Sequence, residues 1–350
     1  DPLQTISLQQ TGFPSVAGGG SSYAPIISPN GRYVLFASTA RNLAFATNNM
    51  PFQGAAGVVL NVYWRDRVEE RTLLVTSDVA GTEFGNNNSL PVALSTNGLL
   101  ALVESTANNL VSNDTNSASD IFLRDLGRGE TVLVSMGTNG LPANGASYNA
   151  VMSPDGRYVA FTSEASNLVA NDTNNVSDVF LCDLQSRLMT LVSTDLQPSP
   201  TTHTNLSSDL PQITPDGQKV AFMVKRRNRT TAKVTADINV RNLSNGTTLW
   251  ASKDARSSLG LAASAEVSCF AHVFSDDGAF LAYGATTPAS TVYPASILRY
   301  NLNTGTTDII HSNTLVPSLL LDDVQSVDMS ANGRLVAFLA KTNSSDSCVL

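Results

Sequence analysis

The stretch MSPDGRYVAFTSEASNLVANDTNNVSDVFLCDLQSRLMTLVS, Met152 to Ser193, decides how the rest of the chain reads. It opens on a Pro-Asp-Gly turn and runs into an apolar strand, Tyr158 to Thr162. A polar loop leads to a second apolar strand, Val179 to Leu181. Asp183 to Arg187 make another turn, and Thr190 to Ser193 form a last strand. Gly adopts positive φ freely and Asn or Asp tolerate it, so an Asx-Gly pair between apolar runs marks a tight hairpin. With the strand that must precede Ser153, the module holds four short strands joined by turns.

Outward from this stretch the module recurs. The turns are Ser28-Pro-Asn-Gly31, Ser95-Thr-Asn-Gly98, Ser153-Pro-Asp-Gly156, Thr214-Pro-Asp-Gly217, Ser275-Asp-Asp-Gly278 and Ser330-Ala-Asn-Gly333, their glycines 67, 58, 61, 61 and 55 residues apart. Such spacing is a repeat signature. First strands precede the turns at Tyr23–Ile27, Leu90–Leu94, Tyr148–Met152, Leu210–Ile213, Phe270–Phe274 and Gln325–Met329. Third strands end on an Asx turn-former in Val62–Asp66, Ile121–Asp125, Val179–Asp183, Ile238–Asn242 and Ile297–Asn301. Fourth strands follow at Thr72, Thr131, Thr190, Thr248 and Thr307.

Repeats of four antiparallel strands, each contacting only its neighbours, predict an all-β, six-bladed β-propeller occupying residues 1–350 as one domain. The blades fall near 21–77, 88–136, 146–194, 207–252, 268–311 and 323–350 plus 1–9. The sixth copy reaches Leu350 at its third strand. Gln4 to Gly12 resembles Glu130 to Gly140, a fourth strand and its following loop. Leu3 to Leu8 is therefore expected to complete the last blade, which removes exposed sheet edges. The Ser-Pro-Asp-Gly-(Arg/Gln)-x-(Val/Leu)-Ala-Phe pattern, clearest at Ser153–Phe161 and Thr214–Phe222, resembles the TolB-type propeller repeat of bacterial proteins, and the copies at Ser95 and Ser275 depart from it at the proline. The resemblance implies a propeller that serves as a peptide-binding scaffold, as the substrate-gating domain of a peptidase, or in a sugar lyase.

Composition narrows the function. A formal net charge of −8 argues against a nucleic-acid partner, which needs clustered Lys and Arg. The one basic cluster, Lys225 to Arg229, reads as a solvated loop. Charged residues are only 14%, leaving a surface of neutral hydrogen-bonding groups as in extracellular β-rich proteins, and a periplasmic or extracellular bacterial location is the expectation. No run of about 18 apolar residues predicts a membrane span. The three cysteines, Cys182, Cys269 and Cys348, form no C-x-x-C pair, and Cys182 and Cys348 fall on non-adjacent blades. A start at Asp1 without Met reads as a processed form.

Loops after second and fourth strands are long, among them Ser38–Val59, Glu104–Ser119, Thr162–Ser177, Lys225–Asp237 and Lys253–Ser268, and share one face, the candidate site. Residues five before each turn Ser or Thr, namely Tyr23, Leu90, Tyr148, Asp209, Phe270 and Gln325, would ring the channel mouth there. They suit a protein, peptide or glycan ligand, or simply pack the mouth shut. Two loops repeat Asp-x-Asn-x-x-x-Asp: Asp114, Asn116, Asp120 and Asp172, Asn174, Asp178. Two carboxylates and an amide in one loop suit Ca²⁺, although the central Gly and terminal Glu of an EF-hand are missing. The alternative is a loop held by Asx turns. No catalytic residue is assigned. His203, His272 and His311 are isolated, with His272 expected in the core, no Gly-x-Ser-x-Gly elbow occurs, and the pairs Asp276-Asp277 and Asp322-Asp323 sit at turns. No cofactor beyond that Ca²⁺ is implied. The reading is a non-enzymatic binding or scaffold propeller, part of a larger protein; the rival is a gating propeller of a peptidase or a sugar-lyase-like enzyme.

Overall fold

A computed structural model of the chain describes residues 6–7, 18–46, 58–196, 203–262, 265–287, 293–316, 327–342 and 346–349. Over these residues the fold is all-β apart from one helical turn, α1 (Ala255–Ser258). The first sheet has the order β1 (Ser22–Ile27), β2 (Tyr33–Ser38), β3 (Asn61–Asp66) and β4 (Arg71–Leu74). The second repeats it with β5 (Ser89–Leu94), β6 (Leu100–Ser105), β7 (Asp120–Asp125) and β8 (Glu130–Leu133). The third does so with β9 (Ser147–Met152), β10 (Tyr158–Ser163), β11 (Asp178–Asp183) and β12 (Leu188–Leu191). The fourth contains β13 (His203–Ile213), β14 (Lys219–Asn228), β15 (Val234–Asn242) and β16 (Thr247–Trp250). The remaining strands, β17 (Ser268–Phe274), β18 (Phe280–Thr286), β19 (Tyr293–Asn301), β20 (Thr306–Val316), β21 (Val327–Met329), β22 (Val336–Thr342) and β23 (Asp346–Val349), make one seven-stranded sheet. The fifth and sixth repeats are joined because β20 runs long enough for Leu315 to pair with Lys341 of β22. Two compact units divide the chain, residues 1–175 with 181–190 and residues 176–180 with 191–350.

The Ser/Thr-x-Asx-Gly signature folds identically in all six copies. In the third, the Ser153 hydroxyl donates to Asp155 Oδ1 at 2.5 Å and accepts the Tyr158 N–H at 2.9 Å, while Asp155 Oδ1 accepts the Arg157 N–H at 3.0 Å. The glycine closes the turn at positive φ, from 63° at Gly278 to 76° at Gly156. Within the first unit a cluster of Leu35, Val62, Trp64, Val103, Phe122 and Leu133 fills the space between the first two sheets, and Ile6 packs on the opposite face of the first sheet against Val34, Phe36 and Tyr63. Within the second unit, Met223, Ile238, Leu281, Tyr283 and Leu298 join the fourth sheet to the fifth repeat.

One expected loop is a strand. Lys225 to Asp237 forms a hairpin in which Arg226 pairs with Thr235 and Arg227 with Val234, closed by the Asn228 carbonyl oxygen accepting the Ala232 N–H and the Lys233 carbonyl accepting the Asn228 N–H. The basic cluster therefore continues the strand, with Arg227 and Arg229 exposed as expected and Arg226 turned inward. Arg226 is 2% exposed, 3.1 Å from the Asp237 carboxylate and stacked over the Trp250 ring, so alternation along β14 carries it inward. The Leu3–Leu8 strand falls outside the described residues except for Ile6 and Ser7, as do Asp322, Asp323 and Gln325.

Candidate binding face

The long loops of the first unit are pinned to one another by a repeated asparagine. Asn109 Oδ1 accepts the Asn86 N–H at 3.0 Å, and its Nδ2 donates to the Phe84 carbonyl at 3.0 Å. Asn167 does the same one repeat later, accepting from the Asn144 N–H at 2.9 Å and donating to the Pro142 carbonyl at 3.0 Å. In the first repeat Asn42 accepts the Gly19 N–H at 2.8 Å. Each latch ties the loop after a second strand to the loop that enters that sheet, so the face is built of mutually bonded loops on a rigid sheet frame.

Tyr23, Leu90 and Tyr148 occupy equivalent places on β1, β5 and β9, which lie side by side in that order. Tyr23 is 53% and Leu90 47% exposed, and Tyr148 is partly buried. Asp209 and Phe270 hold the matching places on β13 and β17 of the second unit. Asp209 lies 3.8 Å from Lys225, and the Phe270 ring covers Gly284 so closely that a Cβ there would meet it at 2.2 Å. Immediately after Tyr23, Tyr148, Asp209 and Phe270 the backbone turns left-handed, at Ala24 (φ 48°), Asn149 (51°), Leu210 (52°) and Ala271 (36°), and strand pairing slips at the same points. These are β-bulges, which bend a strand and re-aim its side chains. Three of the four residues are not Asn, Asp or Gly, so the sequence carried no signal for them.

Glu104 is the functional candidate the sequence reading missed. It pairs across the ladder with Leu90, accepts from the Ser119 hydroxyl at 3.2 Å, and accepts the N–H of the bulge residue Asn149 at 3.2 Å. The corresponding positions are Ala37, Thr162, Met223 and Gly284. Burial raises its pKa above the ordinary carboxylate value, opposed by those two hydrogen bonds. A comparison of second strands at this one position would have singled it out as the only acid.

The two Asp-x-Asn loops differ. In the first, Asp114 is buried with one carboxylate oxygen facing no donor, and Asn116 Nδ2 donates to Asp120 at 2.6 Å and to the Ala143 carbonyl at 2.9 Å. Asp120 also accepts from the Ser135 hydroxyl at 2.6 Å, and burial lifts its pKa to about 7, helped by the nearby Asp114 charge. In the second loop Asp172 is half-buried and Asn174 exposed, while Asp178 accepts from the Ser193 hydroxyl at 2.5 Å. The same clasp joins Asn61 to Thr76 (2.9 Å) in a repeat with no such loop, so this position serves the joint between third and fourth strands. Among the described residues no group of three or more His, Cys, Asp or Glu side chains is placed to hold a metal ion. His272 is buried in β17, and desolvation lowers its pKa to about 4.

No protein-family model matches the chain, and no curated protein does. Among solved structures, an oligogalacturonate lyase in complex with manganese is similar at 14% identity and a TM-score of 0.51, covering 97% of this chain and 78% of that one. The β-propeller domain of the Trilobed protease from Pyrococcus furiosus, described as having an open velcro topology, is similar at 11% identity and a TM-score of 0.50, covering 93% and 80%. At these identities the likeness concerns the fold alone: repeated four-stranded antiparallel sheets of a β-propeller.

Proposed function

We propose that the chain is a non-enzymatic binding module of a bacterial envelope or extracellular protein, a six-bladed TolB-like propeller that meets a protein, peptide or glycan with its long-loop face. The resemblance of Gln4–Gly12 to Glu130–Gly140 supports closure of its last blade by Leu3 to Leu8. The observation that carries the binding reading is the set of exposed Tyr23 and Leu90 with Tyr148 and Glu104 on a face whose loops are latched by Asn109 and Asn167. An exposed tyrosine and leucine with a half-buried tyrosine and carboxylate suit extended peptides and sugar rings, and a pre-ordered frame lowers the entropy cost of binding.

A second reading, a propeller contributing to an enzyme, rests on Glu104, a half-buried carboxylate held by Ser119 and the Asn149 N–H whose pKa burial raises. Probing peptide and glycan arrays with the wild type and with Tyr23→Ala/Tyr148→Ala separates the two. A discrete set of binders lost in the double variant supports the module; conversion of an arrayed glycan or peptide, abolished by Glu104→Gln, would replace it with the enzymatic reading.

A further inference from the structure

Of the four junctions between successive repeats that lie within one compact unit, one is incomplete. At the first junction Tyr33 and Trp64 stack at 5.0 Å, and the indole N–H donates to the Gly98 carbonyl of the next turn at 2.9 Å. At the junction of the fifth and sixth repeats Arg299 lies over the Phe280 ring at 4.7 Å and donates to the Gly333 carbonyl at 2.6 Å. Between the fourth and fifth, Lys219 Nζ reaches the Gly278 carbonyl at 3.4 Å. Each junction places an N–H donor on a turn glycine, two of them with an aromatic ring beneath it.

The junction between the second and third sheets has neither. Leu100 stands where Tyr33 does and Leu123 where Trp64 does, and among the described residues no side chain donates to the Gly156 carbonyl. What remains is a cleft of about 880 Å³ bordered by Leu100, Leu123, Val132, Gly156, Leu168 and Met189. Its charged rim is balanced, with Asp125, Glu130 and Asp155 against Arg128, Arg157 and Arg187. The cleft runs between β8 and β12, each the terminal strand of its sheet with an open backbone edge.

We infer that this cleft is a binding site for a tryptophan side chain of an extended partner polypeptide, which supplies in trans the ring and the N–H that Trp64 supplies in cis. An apolar wall with a free carbonyl acceptor and no net charge at its rim favours a neutral ring with an N–H donor over a guanidinium, and open strand edges alongside offer backbone pairing to the flanking residues. Leu168 of the Thr162–Ser177 loop closes one end of the cleft, whereas Tyr23, Leu90, Glu104 and Tyr148 are not among its lining residues, so its occupancy is read independently of theirs.

The test titrates N-acetyl-L-tryptophanamide, N-acetyl-L-leucinamide and free indole into the protein and follows the methionine methyl NMR signals. The proposal expects saturable binding of the tryptophan amide that moves Met136 and Met189 but not Met223 or Met329. The leucine amide should bind at least tenfold more weakly, as should the tryptophan amide to Leu100→Tyr/Leu123→Trp, which restores the first junction's pair. No saturable binding, shifts at Met223 or Met329 instead, or undiminished binding to a folded double variant would overturn it. Free indole binding tenfold more tightly than the tryptophan amide would overturn the polypeptide as its source. Should the double variant not fold, the methyl map on the wild type decides alone.

Discussion

The first and second sheets meet through Tyr33 and Trp64, whereas the second and third meet through Leu100 and Leu123 over the same turn geometry. Both junctions use a positive-φ glycine under the preceding sheet, and a Cβ would strike Tyr33 at 1.9 Å from Gly98 and Leu100 at 2.5 Å from Gly156. The frame is thus common to both, and the filling is not. The second sheet departs again at Leu99, where its neighbours have Arg32 and Arg157 paired with Asp66 (2.7 Å) and Asp183 (2.9 Å). At the clasp between third and fourth strands it carries Asp120, as the third sheet carries Asp178, where the first sheet has the uncharged Asn61. In a repeat fold, positions that every copy shares maintain the architecture, and the copy that lacks the ring pair and the arginine–aspartate pair of the first sheet is the one with surface to spare for a partner.

Making the first junction resemble the second should have the largest effect. Trp64→Leu removes a buried ring and its hydrogen bond and is expected to lower stability by about 2–4 kcal/mol in denaturant unfolding. A loss under about 0.5 kcal/mol would mean the two junctions are equally loose.

Asp120→Asn makes the second sheet's clasp match Asn61 of the first. Because burial raises the Asp120 pKa to about 7, above its unfolded value, its contribution is present at acid pH and lost as pH rises from about 4 to 7. The wild type should therefore lose roughly 1–3 kcal/mol across that window relative to the variant. Parallel pH profiles would show that Asp120 ionises in the fold as it does in the open chain.

Leu99→Arg should recreate the Arg32–Asp66 type of pair with Asp125, gaining only about 0.2–0.5 kcal/mol, because the arginine end of such pairs is open to solvent. A gain that survives 1 M salt would show packing and not charge to be responsible. The smallest effect is expected from cations. With donors from Asn116 and Ser135 already on Asp120, Ca²⁺ or EDTA should move Tm by less than about 1 °C, and a rise of several degrees with Ca²⁺ would show that the Asp114 loop takes the ion.

Much of the architecture was legible because it rests on local chemistry repeated six times. The Ser/Thr-x-Asx-Gly turn closes on its own side chains, so its residues announce it wherever they occur. The hairpin at Lys225–Asp237 was not legible, since a run of Arg and Lys looks solvated until Asp237 and Trp250 are known to sit across from Arg226. The bulges after Tyr23 and Phe270 were hidden because Ala24 and Ala271 adopt a backbone angle their side chains do not advertise. Tyr23, Leu90 and Tyr148 could be aligned from the turns, and aligning second strands picks out Glu104 as an acid, but only cross-strand pairing and its bond to Asn149 show that it sits with them. The open junction likewise emerged only when Leu123 was set beside Trp64 in space.

The most direct measurement is a titration of the strongest array binder against four proteins in parallel: the wild type, Tyr23→Ala/Tyr148→Ala, Glu104→Gln and Leu100→Tyr/Leu123→Trp. The account predicts that the tyrosine double variant binds at least tenfold more weakly while its unfolding curve overlays that of the wild type. Unchanged affinity in that variant would contradict a binding face built on Tyr23 and Tyr148.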